Sequence, residues 1–186
     1  DTGQISNAVL TRPFDSAMTP ASVLVQESNQ IAGCAGSKCI SSATLAKMNE
    51  ATKQGKDSLG LVGIPCQVLA LRKMQSSKHE TGARGVKLVI GLFCTWALSY
   101  KGFSEFLKGK VDLSKVKRID IPPPPANVMV VETAAGDVRF SLDEVRKFIK
   151  PTCGVCYDMT SEFADVSVGM VEGIEDSNTL IVRTTA

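Results

Sequence analysis

A chain of 186 residues with 44% hydrophobic content can bury one core, and an appended second functional domain is not expected. Its formal net charge of +2 comes from 21 basic and 19 acidic residues scattered without a dense Lys/Arg block, which argues against nucleic acid as a partner. The most apolar run, Leu88 to Leu98, is interrupted by Gly91 and Thr95 and is far shorter than the roughly 20 residues that span a bilayer; no membrane span or secretory leader is visible.

Short apolar runs alternate with stretches of helical period, the pattern of an α/β domain. Asn7 to Thr11 and Ser22 to Gln26 read as strands, separated by "RPFDSAMTP", whose prolines argue against one continuous element. The loop "GCAGSKC" follows, and then a helix over Ser41 to Lys53, with Ser41 or Ser42 as its cap and Leu45, Met48 and Thr52 on one face. Ser58 to Gly63 suits a buried strand, and Cys66 to Gln75 carries helical apolar spacing at Val68, Leu69, Leu71 and Met74, with Pro65 well placed just before it. Val86 to Phe93 is a continuous apolar run suited to a central strand, with Cys94 at its carboxyl end, before the helical "KGFSEFLKG".

Further along, Val116 to Ile121 and Val128 to Glu132 read as strands flanking the stiff "PPPP", and "AAGD" turns the chain back into "VRF" as a hairpin. Leu142 to Ile149 suits a short helix, a Cys-x-x-Cys loop comes next, and "ADVSVG" and "TLIVRT" supply the late strands.

Six cysteines at uneven spacings, without an export signal, read as metal ligands or redox groups in a cytoplasmic protein more naturally than as a disulfide framework. Cys153 and Cys156 have a spacing that fits zinc, an iron-sulfur cluster or a thioredoxin-like disulfide; their place after Pro151 and before polar "YDMTSE" disfavours the last. In an open α/β sheet, side chains at the carboxyl ends of neighbouring parallel strands share a crevice, and both Cys66 and Cys94 are expected there. Cys66 also lies at a helix N-terminus, which should favour its thiolate. The bland reading of both is small core residues; their pairing with Cys153 and Cys156 makes a four-thiolate set. Cys34 and Cys39 form a competing Cys-x4-Cys pair, but no third cysteine follows shortly after. Spacing leaves zinc and iron-sulfur open.

The remaining signals are weaker. "CAGSKC" combines small residues that admit a ligand close to the backbone with Lys38 as a point charge for phosphate, against the simpler reading of a surface turn. Asp158, Glu162 and Asp165 are solvated loop carboxylates by default and hydrogen-bonding support for a metal centre as the sharper alternative. His79 is the sole histidine, in polar "SSKHET", so a Ser/His or Cys/His hydrolase mechanism is disfavoured. Trp96 and Tyr100 follow Cys94 at helical spacing and are read as core or as cover for the metal centre.

"GSKC" at Gly36 to Cys39, "LVGIPCQVLALRKMQ", "VIGLFC", and "CGVCYDMTSEFADVSVG" with "TLIVRT" occur in one order, and together they resemble the coenzyme F420 hydrogenase/dehydrogenase beta subunit family from about Ala8 to Arg183. That resemblance implies an iron-sulfur flavoprotein. It would carry a [4Fe-4S] cluster on Cys66, Cys94, Cys153 and Cys156, FAD with Gly36, Ser37 and Lys38 near its diphosphate, coenzyme F420 as a possible hydride carrier, and a redox partner subunit. The implied architecture is a single α/β domain, residues 1–186, with a mixed sheet flanked by helices and the cluster at the carboxyl ends of strands. Two departures stand out: nothing before Ala8 matches the family's usual upstream Cys-Gln-x-Gly-Gly type segment, which implies an incomplete flavin wall and weak FAD binding by this chain alone, and Cys39 replaces the tyrosine of "GSKY". The remaining expectations are a noncatalytic electron-transfer module that relies on a partner chain, or a structural zinc domain.

Overall fold

A computed structural model describes residues 3–14, 19–79, 81–171, 174 and 177–184. The chain opens with the antiparallel pair β1 (Asn7–Phe14) and β2 (Pro20–Val25). Beyond them lie the βα units β3 (Leu59–Gly63) with α2 (Pro65–Ser76) and β4 (Val86–Leu92) with α3 (Tyr100–Leu107), while α1 (Thr44–Lys53) precedes β3. β5 (Val116–Asp120), β6 (Val128–Thr133) and β7 (Gly136–Ser141) follow, then α4 (Leu142–Val145) and the closing pair β8 (Val166–Met170) and β9 (Asn178–Val182).

These strands form a mixed six-stranded sheet in the order β2-β1-β3-β4-β8-β9 and an antiparallel sheet β5-β6-β7. The inner pairs of the larger sheet, β1 with β3, β3 with β4 and β4 with β8, are parallel. β3 and β4 therefore deliver the chain at the same end of the sheet, as the run of "LVGIPC" and "VIGLFC" predicts. Alternation along the strands sends Val9, Leu59, Leu61 and Val89 to one face, where they pack with Met48 and Ala51 of α1 and Val68 and Leu71 of α2. On the opposite face, Leu92, Val168 and Leu180 lie in one register row. No helix among the described residues covers that row, and Leu92 is 41% and Leu180 63% exposed. Parallel sheets are ordinarily covered on both faces, so the open face is where a ligand or partner has room.

The expectation of one core is corrected. A second cluster, separate from the first, joins Phe103 and Leu107 of α3, Ile119, Met129, Val131 and Phe140 of the smaller sheet, and Ile40 and Leu98. Within this second cluster Leu98 bridges to Ile40 on one side and Ile149 on the other. The same stretch holds the cysteine loops, through Leu98 N–H to the Cys39 carbonyl and Lys150 N–H to the Ala97 carbonyl.

Three local expectations need adjustment. β1 runs through Pro13 because the register shifts between Arg12 and Phe14, so the missing N–H falls at the irregularity, and Pro20 opens β2 where it costs no ladder bond; residues 15–18 of the expected turn lie outside the described residues. Neither Ser41 nor Ser42 caps α1, whose N-cap is Ala43 without a side-chain bond. The Ser42 hydroxyl instead lies 2.8 Å from that of Thr11 and 3.0 Å from that of Thr44, and Ser41 accepts from Lys150. Last, residues 94–98 are irregular rather than helical, and α3 begins at Tyr100 with Ser99 as its cap.

Candidate cofactor site

Cys66 is the second residue of α2, where Pro65 occupies the first helical position and supplies a fixed φ without a wasted N–H. Cys94 follows β4 by two residues. Its N–H donates to the Met159 carbonyl at 2.9 Å, and the Phe93 N–H donates to Val168 at 2.9 Å, so the strand end is stitched to the segment after the Cys-x-x-Cys pair. Cys153 lies on the 3-10 turn Pro151–Val155 and Cys156 ends it. The Cys153 N–H donates to the Lys150 carbonyl at 2.9 Å, the Lys150 N–H donates to Ala97 at 2.9 Å, and the Ala97 N–H points back at the Cys153 Sγ at 3.4 Å. Cys66 and Cys94 thus come from consecutive βα units, and Cys153 and Cys156 are folded over them.

Neighbouring sulfurs act on two of the four thiols. Burial is the leading cause that pushes the Cys66 thiol up; charge on Cys153 and Cys156 adds to it, and the Gln67 N–H opposes it. This corrects the expectation that the helix N-terminus leaves Cys66 a ready thiolate: although the residue is exposed overall, its sulfur is crowded by other sulfurs. Cys94 is pushed up to about 11, first by burial and then by Cys66, Cys153 and Cys156. Burial and neighbouring sulfurs thus both disfavour the thiolate at Cys66 and Cys94, a free-energy cost that a cation bound beside them relieves.

Among the described residues, no three His, Cys, Asp or Glu side chains converge as ligands of one metal ion. A zinc ion, with Zn–S bonds of about 2.3 Å, draws its sulfurs to within roughly 4 Å of one another. A cluster is held by thiolates on separate irons and accepts a wider ring. The four thiols are all free, and charge on Cys66, Cys153 and Cys156 reaches Cys94.

Beside Cys94 opens a cavity of about 660 Å³ on the uncovered face of the sheet, within the roughly 300–1,000 Å³ of ligand pockets. Leu10, Val62, Leu92 and Val168 form its floor, Trp96 and Ala97 one wall, and the 34–39 loop its lip. Gly36 has φ +94°, a left-handed conformation that favours glycine, so the lip turns sharply. Lys38 lines this cavity, but its ammonium is turned into its own loop, donating to the carbonyls of Cys34, Ala35 (3.2 Å) and Gly36 (2.7 Å). Burial lowers its pKa, and Cys34 partly offsets that. Lys38 therefore closes the lip as well as bordering the cavity. Cys39 packs against the second core, its thiol pushed up to about 12 by burial and then by Asp120.

The carboxylates after the pair divide by role. Both oxygens of Asp158 accept the Glu162 N–H at 3.1 Å, and the Asp158 carbonyl accepts the Cys156 thiol at 3.5 Å. Asp165, buried, accepts the Arg72 guanidinium at 2.7 Å and the Val89 N–H at 2.8 Å, binding the loop to α2 and β4. Arg183, just beyond β9, donates to the Thr160 carbonyl at 3.2 Å, the Thr160 hydroxyl at 2.8 Å and the Ser167 hydroxyl at 2.9 Å. Sequence reasoning missed Arg72, Arg183 and Lys150; a basic residue opposite a buried acid or hydroxyl leaves no local pattern. His79 is exposed, as expected, and Trp96 packs against the second core while bordering the cavity.

The fold is a mixed-sheet α/β domain with free thiols gathered at the carboxyl ends of its strands and a ligand-sized cavity beside Cys94. The family profile for the C terminus of the coenzyme F420 hydrogenase/dehydrogenase beta subunit matches residues 56–186, and the chain belongs to that family. It is 33% identical to a coenzyme F420-dependent sulfite reductase of Methanocaldococcus jannaschii over 99% of this chain and 31% of the reductase. It is 30% identical to the coenzyme F420 hydrogenase subunit beta of Methanothermobacter thermautotrophicus over 99% of this chain and 66% of that relative. A solved chain of the F420-reducing [NiFe] hydrogenase complex from Methanosarcina barkeri superposes with a TM-score of 0.84 at 28% identity, covering 98% of this chain and 64% of that one. The chain thus spans between about a third and two thirds of the length of these relatives. No helix among the described residues is long and apolar enough to cross a membrane.

Proposed function

We propose that this chain is the cofactor-carrying part of a cytoplasmic flavin- and iron-sulfur-dependent oxidoreductase subunit, moving electrons between a hydride carrier, coenzyme F420 or a similar compound, and a partner subunit. The observation that carries the reading is geometric: Cys66 and Cys94 come from consecutive strand-to-helix units, the segment bearing Cys153 and Cys156 is stitched against them, and Cys94 also lines the cavity. Cys66, Cys94, Cys153 and Cys156 hold a [4Fe-4S] cluster, and the cavity takes FAD. When bound, the flavin exchanges a hydride and the cluster passes electrons singly.

The residues of this chain bind and orient. The four cysteines would bind iron as thiolates, and the positive irons of a bound cluster would offset the burial that disfavours that form at Cys66 and Cys94. The apolar floor of Leu10, Val62 and Val168 receives a flat ring system, and the lip at Gly36, Ser37 and Lys38 flanks the diphosphate. Lys38 acts chiefly by holding that lip in shape, since loop carbonyls already engage its ammonium. The names of the relatives support F420 as the carrier and a multi-subunit setting.

Replacing Cys66, Cys94, Cys153 or Cys156 singly by Ser is expected to abolish or degrade the cluster, because a hydroxyl poorly replaces a thiolate on iron. Cys34→Ser and Cys39→Ser are expected to retain it. Iron analysis of the six variants decides: loss in Cys34→Ser with retention in Cys66→Ser would overturn the ligand set.

A further inference from the structure

Lys150 occupies a place that the ligand set does not use. Its backbone is fixed on both sides, the N–H by the Ala97 carbonyl and the carbonyl by the Cys153 N–H, each at 2.9 Å. Its side chain leaves the cysteine loop and reaches across to the Ser41 hydroxyl on the cavity wall, to which the ammonium donates at 2.6 Å. It is half-buried, and no carboxylate among the described residues forms an ion pair with it, whereas Lys47, Lys108 and Lys115 each pair with an acid. Lys38, which borders the cavity, is engaged by carbonyls of its own loop. A cation without a carboxylate partner among the described residues thus links the cysteine loop, through its backbone, to the cavity wall, through its ammonium.

We propose that Lys150 sets the reduction potential of this site: its fixed positive charge, tethered by Ser41, favours the state that has gained an electron. The proposal rests on the functional reading above. Its physical basis is that an electron added to a partly desolvated centre brings one negative charge, and a nearby preorganised cation stabilises that charge without having to reorient. Charge, hydrogen bonding and exposure around a cluster are the protein's means of moving its potential. Lys150 supplies the charge, and its N–H donates to the carbonyl of Ala97, the residue whose own N–H points at the Cys153 sulfur. Lys150 is in this sense a positioning and tuning residue, and touches no substrate.

The test uses the whole chain reconstituted anaerobically with ferrous iron and sulfide, then titrated with dithionite while the cluster's electron paramagnetic resonance signal is followed. Lys150→Met is expected to retain wild-type iron and to lower the midpoint potential by the equivalent of about tenfold in a one-electron equilibrium, about 59 mV. Lys150→Arg is expected to restore most of it. An unchanged midpoint in Lys150→Met at full iron content, or an equal fall in Lys150→Arg, would overturn the proposal, the latter because shape rather than charge would then be the cause. Should Lys150→Met lose iron, Ser41→Ala carries the test: it keeps the charge and frees it from the cavity wall, so a lowered midpoint supports the proposal and an unchanged one ends it. Wild-type chain that assembles no cluster refutes the ligand assignment itself, and this proposal with it.

Discussion

Cys66 and Cys94 are placed by regular structure, whereas Cys153 and Cys156 are placed by an irregular segment. The first two follow strands whose partners, register and buried side chains fix the backbone within the main core. The other two sit on a 3-10 turn with little apolar anchorage of its own, and the large side chains beside them point outward: Val155 is 82% and Tyr157 80% exposed. What holds that segment is polar. Asp158 ties the turn at Glu162, Asp165 ties it to Arg72 and β4, and Arg183 grips Thr160. Hydrophobic burial is non-directional, and buried hydrogen bonds are directional. Half of the thiol set therefore depends on packing and half on a few polar contacts.

The largest expected effect breaks the polar half. Asp165→Ala removes the acceptor of the Arg72 Nη2 and of the Val89 N–H and should cost about 2–3 kcal/mol, below the full value for a buried pair because Arg72 is partly exposed and keeps the Phe163 carbonyl and Gln75 as acceptors. Chemical denaturation measures the loss. Iron retention should fall with it, and Cys153 and Cys156 should become more reactive to alkylation than Cys66. A variant with unchanged stability would show that the segment is held by something else.

A smaller effect sharpens the contact between the two halves. A Cβ at Gly91 would lie 2.3 Å from the Ser161 Cβ and 2.2 Å from its hydroxyl, and Ser161 already sits at φ +60° with no exposure. Gly91→Ala should therefore push the segment away from β4 at a cost of about 1–3 kcal/mol. Thermal unfolding measures it, and a wild-type melting temperature would contradict the close packing.

The smallest effect is confined to alkaline pH and to a cysteine outside the set. The folded chain holds the Cys39 proton more tightly than the unfolded chain, whose thiol titrates near 9.0, because burial and then Asp120 push it to about 12. The unfolded state therefore binds fewer protons above pH 9.0, and stability, level below that value, is lost as pH rises toward about 12. Cys39→Ala should flatten that part of the pH profile of the cofactor-free chain; an unaltered decline would assign it to other groups.

The regular half was legible in the sequence. Pro65 before an apolar helical run and the strand "VIGL" ahead of Cys94 state their structures locally, and the parallel order of β3 and β4 follows from the βα alternation. The resemblance carried the family and the ligand expectation together. The second core was not legible, because Ile40, Leu98 and Met129 meet only in three dimensions. Nor were the contacts of Arg72 with Asp165 and of Lys150 with Ser41, which join residues 93 and 109 positions apart. Ser41 and Ser42 had a local reason to cap α1 and were drawn off by distant partners.

The most direct test of the central claim is the iron and acid-labile sulfide content of the wild-type chain purified or reconstituted without oxygen. The account predicts about four iron and about four sulfide per chain, with broad visible absorbance that Cys153→Ser loses. A colourless chain holding about one zinc and no sulfide would contradict it, because the four thiols would then form a structural site rather than an electron carrier.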